Sequence, residues 1–562
     1  MSKFKLVICC INSKFIHSSL SAWCLYSGMK AFCPDVEVSV VEGTINEKSE
    51  NVLNRILNEN ADAVSFSCYI WNIRETLKLA KRLKEILPDT KIIFGGPEVS
   101  FNPKEIMEEN EFADYIISGE GEEALAKLSD ALSKGEESQD GIASKRCGKK
   151  ILVGKSHIFK GELSPYCEEY FASLGGRISY IEASRGCPYT CSFCLSGSDR
   201  SVRFFELQRV KEEMLLLASS GTKTIKFVDR TFNCNKKRAK EILLFIKENY
   251  KIKIPQDVCF HFEIAGDILD SELLLVISSM PQGSVQFEIG IQSFNSKTLE
   301  AINRKTDIQK LCENIQKLVS FKNCHIHIDL IAGLPFEGLG SFKESFNKAY
   351  ALKANMLQLG FLKVLHGSCM ENDAEKFGIK YSKEPPYEVI STPWISNDEL
   401  SFLHIVEDAL ERLYNSSRFS RTLDYIMENA PCTPFDVFSS FALYVLKKGE
   451  DRPALDLYTS WVYEYFSACD YLDKTVLRDK MICDRIATNS SGVIPKCLQV
   501  EDERLKKAKN ILGKTYPINY GEKRSVAILY SENIIVFCNY GEKDRVSGEY
   551  ILKKVPFEQI FE

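Results

Sequence analysis

Two long stretches of the chain alternate short apolar runs with amphipathic segments, and this alternation constrains the fold more than any other feature. In residues 4–133 the apolar runs have the length of strands: Phe4–Cys10, Val36–Val41, Ala63–Ser67, Lys91–Phe94 and Tyr115–Ile117. Apolar strands separated by amphipathic helices are typical of a parallel sheet that is covered on both faces. We therefore predict a doubly wound α/β domain in residues 1–135, with its ligand at the carboxyl ends of the strands.

The alternation resumes in residues 178–385, where further strand-length runs are separated by helical segments. These runs are Ile178–Ala183, Thr224–Val228, Asp257–Phe262, Ser284–Ile291, His325–Ile331 and Met356–Val364. Six strand–helix units predict a partial TIM-type (βα)6 barrel over residues 176–385. Because active sites of such barrels lie at the carboxyl ends of the strands, each strand end is a candidate site position.

The remaining residues follow other patterns. Residues 136–175 begin with a polar, glycine-containing stretch, and we predict a linker with a short hairpin at Lys149–Val153. Residues 386–562 are predicted to form a mainly helical region with a few strands. Its helix patterns are Asp398–Leu413 and Arg452–Ser467, and its strand patterns are Ser525–Leu529 and Ile534–Cys538.

Composition excludes several classes of protein. Lys plus Arg number 72 against 77 Asp plus Glu, so the chain lacks the basic surplus of a general nucleic-acid binder. No apolar stretch approaches the roughly 20 residues of a membrane span, and the apolar run at Leu6–Cys10 is too short for a signal-peptide core. We expect a cytoplasmic protein. Its 20 cysteines in 562 residues fall well below the density of disulfide-rich scaffolds.

Three of those cysteines are closely spaced. Cys187, Cys191 and Cys194 lie in the segment Ser184–Cys194, directly after the first predicted barrel strand. Three thiolates on one tight loop can hold a 4Fe-4S cluster and leave its fourth iron open, as a catalytic metal site requires. A structural zinc site without a visible fourth ligand, or chance clustering, are the alternative interpretations.

The CxxxCxxC spacing, with an aromatic residue before the last cysteine, resembles the radical S-adenosylmethionine (SAM) superfamily. The resemblance implies that Cys187, Cys191 and Cys194 are cluster ligands, that the open iron chelates the amine and carboxylate of SAM, and that Phe193 lies near the adenine. One-electron reduction in that family cleaves SAM to a 5′-deoxyadenosyl radical.

Polar residues at later strand ends extend this resemblance to oxygen-independent coproporphyrinogen oxidases and their relatives. The residues that the resemblance assigns to SAM are Asp229, Glu263, Gln292, Arg304 and Asp329. Carboxylates suit ammonium and hydroxyl groups, and an arginine suits a carboxylate. The alternative for each residue is a helix cap or an ion pair. Glu288 also lies on the fourth strand, and the sequence does not decide whether it shares a face with Gln292.

A doubly wound domain before such a barrel resembles the Rossmann- or flavodoxin-like cobalamin-binding domain of cobalamin-dependent radical SAM enzymes. The residues that the resemblance assigns to cobalamin are Ser13, His17, Ser65, Ser67, Tyr69, Gly95, Gly96, Glu120 and Gly121. Small residues at strand ends would admit the nucleotide tail and bring backbone amides close to it. A flavodoxin-like domain that binds another ligand, or none, is the alternative.

One motif of cobalamin domains is absent. In Asp-x-His-x-x-Gly the histidine coordinates cobalt from below, but His17 has Phe15 before it and Leu20 after it at the corresponding positions. We interpret His17 as a polar residue at a helix start rather than as an axial ligand. Tyr69, Trp71 and Asn72 could cover the lower face of cobalt, or could simply pack their loop.

Residues 386–562 match no chemistry that can be named. The segments Glu384–Val389 and Thr392–Trp394 resemble a subset of the family with an uncharacterised C-terminal domain. Trp461, Tyr463, Tyr465 and Phe466 have the spacing of a helical core. We hypothesise that this region covers the open end of the barrel and selects the substrate.

Together these features predict a cobalamin-dependent radical SAM methyltransferase that acts on an unactivated carbon, with a 4Fe-4S cluster, SAM and cobalamin as cofactors. Cyclisation or rearrangement with the same cofactors is the second interpretation, and a corrinoid or redox sensor is the third. The substrate is open among small molecules, peptides and lipids, and nucleic acid is disfavoured by the acidic balance. A low-potential electron donor such as flavodoxin or ferredoxin is the expected protein partner.

Overall fold

The structure is a computed structural model that describes residues 3–136, 142–146, 150–152, 156–197, 201–450, 452–518, 523–541 and 543–561. It divides into two units. Unit 1 contains residues 1–264, 302–304 and 362–390, and unit 2 contains residues 265–301, 305–361 and 391–562.

The N-terminal part of unit 1 is a parallel sheet covered by helices, as predicted. Its strands are β1 (Lys5–Asn12), β2 (Glu37–Thr44), β3 (Ala63–Ser67), β4 (Lys91–Gly95) and β5 (Tyr115–Ile117), in the spatial order β2-β1-β3-β4-β5. This is the flavodoxin-like order, whose ligand site lies where the order reverses beside β1. The register aligns Cys10 with Ser67 and Ser67 with Gly95, so these strands end at a common edge.

Six helices accompany this sheet: α1 (Leu20–Phe32), α2 (Ser49–Asn58), α3 (Ile73–Ile86), α4 (Pro97–Ser100), α5 (Pro103–Glu109) and α6 (Glu122–Ser133). Val64 and Phe66 on one face of the sheet, and Ala63 and Ile93 on the other, are at most 1% exposed, because helices pack against both faces.

The predicted linker contributes to the same sheet. Strands β6 (Ala143–Arg146) and β7 (Lys150–Leu152) form an antiparallel hairpin that pairs with β5. The predicted hairpin at Lys149–Val153 overlaps β7, while residues 147–149 and 153–155 lie outside the described residues. Helix α7 (Glu168–Leu174) then leads to the second α/β region.

Unit 1 also contains three parallel strands of the predicted barrel region: β8 (Ser179–Ile181), β11 (Thr224–Phe227) and β12 (Cys259–Glu263). The short strands β9 (Ser184–Arg185) and β10 (Arg203–Phe204) pair between them, and helices α8 (Leu207–Ser219) and α9 (Lys236–Asn249) connect the strands.

Unit 2 contains three more parallel strands: β13 (Val285–Gln292), β14 (His325–Ala332) and β15 (Met356–Phe361). Their helices are α10 (Ser271–Ser278), α11 (Ser296–Ala301), α12 (Ile308–Phe321) and α13 (Leu339–Ala351). The segment after β15 belongs to unit 1 up to residue 390, and it holds α14 (Cys369–Asp373), β16 (Lys380–Tyr381) and β17 (Val389–Ser391). The three strands of unit 1 and the three strands of unit 2 confirm the parallel strand–helix pattern that the sequence predicted.

The C-terminal region is mainly helical with one small sheet, again as predicted. Its helices are α15 (Asn397–Leu410), α16 (Ser420–Asn429), α17 (Pro434–Lys448), α18 (Leu455–Ser467), α19 (Lys474–Thr488), α20 (Glu503–Thr515) and α21 (Glu558–Phe561). The antiparallel strands β18 (Arg524–Leu529), β19 (Ile534–Asn539) and β20 (Lys553–Pro556) lie beside them. Of the predicted aromatic core, Trp461 and Phe466 are buried, and Tyr463 and Tyr465 are half-buried.

This region packs within unit 2 along the edge of β15. The Asn415 side chain donates to the Leu357 carbonyl at 2.9 Å and accepts from the Leu357 amide at 3.0 Å, so it pairs with the strand's own backbone groups. Phe435 and Phe438 pack against Phe346 on α13. Coverage of the open barrel end stays a prediction. None of the described helices combines the length and the apolar character that a bilayer crossing requires.

Candidate functional site

The loop that carries the three cysteines begins at a position that only glycine can occupy. Gly186 follows β9 with φ of +97°, and a Cβ atom there would lie 2.0 Å from the Ser201 carbonyl oxygen. The pairing of Ser184 and Arg185 with β10 produces this close return of the chain.

The three cysteines lie on this one loop, and the charges of Cys187 and Cys194 act on Cys191. Cys187 and Cys191 are buried, and Cys194 is half-buried. Burial raises the pKa of the Cys191 thiol, the Arg304 guanidinium opposes that rise, and the charges of Cys194 and Cys187 add to it. Arg304 Nη1 lies 3.7 Å from Cys191 Sγ. Three thiols on one loop, with a cation beside Cys191, fit an iron–sulfur cluster with three protein ligands.

Backbone and side-chain contacts hold this loop on two sides. The Ser192 amide donates to the Ile302 carbonyl at 2.9 Å, and the Met370 amide donates to the Ser192 carbonyl at 2.7 Å. Asn303 Nδ2 donates to the Thr190 carbonyl at 3.0 Å. Residues 302–304 therefore bring Arg304 to the cysteines. The half-buried Phe193 lies in the turn before Cys194.

Asp229, which the resemblance assigns to SAM, braces the strand before the cysteine loop. Its Oδ2 accepts from the Ala183 amide at 2.9 Å, and its Oδ1 accepts from the Ser184 hydroxyl at 2.5 Å. Burial raises its pKa to about 6, against these hydrogen bonds. Both oxygens thus have partners in the chain. Glu263, at the end of β12, lies 3.6 Å from Lys226 Nζ.

Unit 2 holds the other predicted SAM residues, and Gln292 is the most unusual of them. It ends β13 with φ of +73°, where the register with β14 shifts between Gly290 and Gln292. Among the residues that the structure describes, its buried Oε1 has no hydrogen-bond partner. A strained backbone and an unsatisfied buried acceptor are typical of a position that meets a ligand donor.

Asp329 lies on the neighbouring strand in contact with a histidine. Its Oδ1 is 2.8 Å from His327 Nε2, and one ligand atom each from Glu288, His327 and Asp329 lie within 4.8 Å of one another. Glu288 therefore lies on the same side of this sheet as His327 and Asp329.

A cavity of about 770 Å³ lies in unit 1 at the carboxyl edge of the N-terminal sheet. Every residue that the resemblance assigns to cobalamin lines it: Ser13, His17, Ser65, Ser67, Tyr69, Gly95, Gly96, Glu120 and Gly121. Gly96 has φ of +108°, and a Cβ there would lie 2.5 Å from the Cys68 carbonyl oxygen. The close approach of β4 to β3 therefore needs glycine.

Residues of the cysteine loop line the same cavity, and sequence reasoning did not single them out. They are Arg185, Leu195 and Ser196, joined by Glu182 and Arg230 from the ends of two barrel strands. Arg185 contacts Glu182 at 2.9 Å, Glu122 at 2.6 Å and Glu120 at 3.3 Å. This network ties the β5–α6 loop to the start of the cysteine loop. No local sequence pattern indicates this network, because its members come from distant segments of the chain.

The interpretation of His17 as a helix-start residue is wrong. Helix α1 begins at Leu20, and Ser19 is its N-cap through a hydrogen bond from the Ala22 amide. His17 instead forms a parallel bridge with Ile178, and its Nδ1 lies 2.5 Å from the Tyr180 hydroxyl. Burial lowers the pKa of His17.

The loop after β3 contains Tyr69, Trp71 and Asn72, for which the sequence left two roles open: covering the lower face of cobalt or packing the loop. Asn72 is fully buried, and its amide donates to the Ile11 and Ser67 carbonyls at 2.9 Å, so it packs the loop. Tyr69 and Trp71 stack on each other with ring centroids 4.4 Å apart, and both line the cavity. Trp71 is 45% exposed.

Comparison with known families agrees with this arrangement. Residues 7–129 match the B12 binding domain, residues 181–349 match the radical SAM superfamily, and residues 375–520 match a protein family of unknown function, DUF4080. The chain carries a B12-binding domain and a radical SAM domain. The C-terminal match confirms that the third region belongs to an uncharacterised family.

Curated relatives share about half of the chain. The cobalamin-dependent radical SAM methyltransferase TokK of Streptomyces tokunonensis is 27% identical over 313 residues, which cover 50% of this chain and 44% of TokK. The anaerobic magnesium-protoporphyrin IX monomethyl ester cyclase of Cereibacter sphaeroides is 24% identical over 322 residues, which cover 54% of this chain and 51% of the cyclase. This chain thus spans only about half the length of these two relatives.

A solved structure shows the same fold over most of the chain. OxsB, a cobalamin-dependent SAM radical enzyme whose structure contains aqua-cobalamin, superposes with a TM-score of 0.60. The match covers 92% of this chain and 82% of OxsB at 13% sequence identity. At that identity the likeness supports the fold.

Proposed function

We propose that this chain is a cobalamin-dependent radical SAM methyltransferase acting on an unactivated carbon. The observation that carries the proposal is the cavity of about 770 Å³, because cobalamin-assigned strand ends and the cysteine loop line it together. A corrinoid in that cavity would lie beside the loop that holds the cluster. Two cofactors that act on one substrate need this adjacency.

The thiols of Cys187, Cys191 and Cys194 would hold a 4Fe-4S cluster, with Arg304 next to Cys191 balancing part of the thiolate charge. When bound, the cluster supplies one-electron cleavage of SAM to a 5′-deoxyadenosyl radical, and cobalamin supplies a methyl donor. The chain contributes orientation and exclusion of water and oxygen, and two of the three thiols are already buried.

In the cavity, Ser65, Ser67, Gly95 and Gly96 leave room for the nucleotide tail along the strand ends. Tyr69 and Trp71 form an aromatic stack on the cavity wall, and we assign this stack to the lower face of the corrin. His17 is engaged with Tyr180, so we do not assign it to cobalt.

By the sequence resemblance, Glu263, Gln292, Arg304 and Asp329 are the proposed SAM contacts. The orphaned Oε1 of Gln292 supports its assignment, because a ligand hydroxyl would satisfy it. Asp229 is reassigned to a supporting role, since both its oxygens accept hydrogen bonds from residues 183 and 184.

The test uses the reconstituted full chain with SAM, hydroxocobalamin and a strong chemical reductant under anaerobic conditions. The proposal predicts both S-adenosylhomocysteine, from methylation of the corrinoid, and 5′-deoxyadenosine. 5′-Deoxyadenosine without S-adenosylhomocysteine would favour cyclisation or rearrangement, for which the cyclase relative is the supporting observation. Absence of both products would favour a sensor and contradict the proposal. Replacing Cys191 with alanine is the control, and it should abolish 5′-deoxyadenosine.

The cytoplasmic location, the electron donor of flavodoxin or ferredoxin type, and the substrate class remain predictions. For the DUF4080 region we propose substrate selection. A chain truncated before α15 should still cleave SAM, and loss of iron from that truncated chain would contradict the assignment.

A further inference from the structure

Residues 362–390 of unit 1, which we call the bridging segment, contact two loops that lie far apart in the sequence. On one side, the Met370 amide donates to the Ser192 carbonyl of the cysteine loop at 2.7 Å. On the other side, the segment contacts residues 95–101, which begin at the end of β4. Most of these residues line the cavity of about 770 Å³, namely Gly95, Gly96, Pro97, Ser100 and Phe101. The bridging segment therefore connects the loop of the proposed cluster with one wall of the proposed corrin site.

A hydrogen bond between two buried side chains joins the bridging segment to residues 95–101. The Tyr387 hydroxyl donates to Glu98 Oε2 at 2.8 Å, and the two residues are 6% and 4% exposed. Burial raises the pKa of Glu98, and the hydrogen bond from Tyr387 opposes that rise. Tyr387 has φ of +58°, a left-handed conformation that is strained for a bulky residue. Such a conformation persists only where the surrounding structure fixes it.

Contacts within the bridging segment link Tyr387 to the cysteine loop. The His366 imidazole packs edge-on against the Tyr387 ring, with the ring centroids 4.6 Å apart. His366 Nδ1 lies 2.7 Å from Glu371 Oε1, and Glu371 directly follows Met370. A continuous series of contacts thus runs from residues 95–101 to the cysteine loop.

A second close approach links the bridging segment to the cavity wall. Gly367 has φ of +81°, and a Cβ atom there would lie 2.2 Å from the Phe101 ring. Phe101 lines the cavity and is 45% exposed. The backbone at Gly367 therefore supports a ring of the cavity wall from behind, at a position that needs glycine.

The polar character of the Glu98–Tyr387 contact favours positioning over added stability. Burial of a carboxyl group costs free energy, and a well-packed apolar pair in such a place is often as stable or more stable. A hydrogen bond, however, fixes the distance and the direction between its two groups. Because the bridging segment is also bonded to the cysteine loop, ordering of that loop by a cluster should reduce the freedom of the cavity wall.

We propose that Tyr387 and Glu98 are positioning residues that couple the two cofactor sites, because through the bridging segment they hold the cavity wall at residues 95–101 when a cluster orders the cysteine loop. This inference rests on the proposed function, in which one chain holds both cofactors. No electron or group transfer is assigned to either residue. The coupling is reciprocal, so a bound corrinoid should also favour retention of the cluster.

The experiment measures the affinity of the full chain for hydroxocobalamin, with and without its cluster, by anaerobic equilibrium dialysis and cobalt analysis. The cluster-loaded wild type should bind about fivefold more tightly than the cluster-free wild type, at the lower end of known couplings between sites. Tyr387→Phe deletes one hydroxyl and keeps the ring, and the two affinities should then be nearly equal. A residue with only a structural role would change both affinities by the same factor and leave their ratio unchanged.

Tyr26→Phe is the matched control. The Tyr26 hydroxyl also donates to a glutamate, Glu169 Oε1 at 2.9 Å, but both residues lie outside the bridging segment and are not among the described residues that line the cavity. Its affinity ratio should equal that of the wild type. Glu98→Gln is the conservative variant and should keep most of the coupling, because its amide oxygen can accept from the Tyr387 hydroxyl. Glu98→Leu should lose the coupling.

A wild type with equal hydroxocobalamin affinity in both forms would overturn the inference and leave the proposed function standing. So would a Tyr387→Phe variant that keeps the wild-type ratio, since the coupling would then follow another route. Circular dichroism spectra and melting curves of the cluster-free variants identify a folding failure, in which case the comparison of Glu98→Gln with Glu98→Leu decides. A wild-type chain that does not bind hydroxocobalamin in either form would remove the proposed function and this inference with it.

Discussion

Replacing Arg185 is the most informative perturbation of the junction between the cavity and the cysteine loop. Its guanidinium contacts Glu182 at 2.9 Å, Glu122 at 2.6 Å and Glu120 at 3.3 Å. The Arg185 side chain is 17% exposed, and that of Glu122 is 7% exposed. Glu120 also pairs with Arg203, whereas among the described residues Glu122 and Glu182 have no second ion pair.

The expected loss in free energy of unfolding depends on which carboxylates are left without a cation. Arg185→Met retains the apolar stem and leaves Glu122 and Glu182 without a cation. Breaking a buried ion pair from one side costs about 3–5 kcal/mol, and the partial exposure of this network places the expectation near 3 kcal/mol. Glu122→Gln removes one of the three carboxylates around Arg185 and leaves no charge unpaired, so it should lower the free energy of unfolding by about 1 kcal/mol or less.

The assay is urea unfolding of the cluster-free chain, so that iron binding does not contribute to the measured stability. Arg185→Lys is the matched control, because it keeps the charge but not the three-point geometry, and it should fall between the two variants. An Arg185→Met variant no less stable than Glu122→Gln would contradict this prediction, since the loss of stability would then not come from carboxylates left without a cation.

Three other predictions concern the loop, a buried acid and the cavity wall. Gly186→Ala should abolish iron retention on reconstitution, since its Cβ would lie 2.0 Å from the Ser201 carbonyl, and a normal iron content would contradict this. Glu337, whose pKa burial raises to about 7, should make the chain less stable as pH rises from about 5 to 8, by up to about 3 kcal/mol. The sign follows because the folded chain binds the proton more tightly than the unfolded chain, and melting curves of Glu337→Gln should lack this slope. Trp71→Ala should weaken hydroxocobalamin binding up to about tenfold in an equilibrium titration, and unchanged affinity would remove Trp71 from the corrin site.

Much of the fold could be predicted because its signals are local. Strands Ala63–Ser67 and Tyr115–Ile117 have the bounds that the apolar runs indicated. A buried parallel strand is apolar over its whole length, so its limits are visible in the sequence. The positions of the strand ends follow from the same pattern, so the residues that the resemblance assigns to cobalamin could be placed at one edge of the sheet from the sequence.

The features that sequence reasoning missed depend on distant contacts. The position of His17 is set by its bridge to Ile178, which lies far along the chain, and not by the helix that follows His17. The face of Glu288 relative to Gln292 was open because the register shift after Gly290 breaks simple alternation. The Arg185 network joins residues 120–122 to residues 182–185, and no local pattern indicates such a contact.

Metal analysis after anaerobic reconstitution is the most direct test of the claim that one chain holds both an iron–sulfur cluster and cobalamin. The wild type should retain about four irons and one cobalt per chain after unbound cofactors are removed. Cys191→Ala should lose iron and keep cobalt, because Cys191 does not line the cavity of about 770 Å³. A wild-type chain that retains iron without cobalt would contradict the claim.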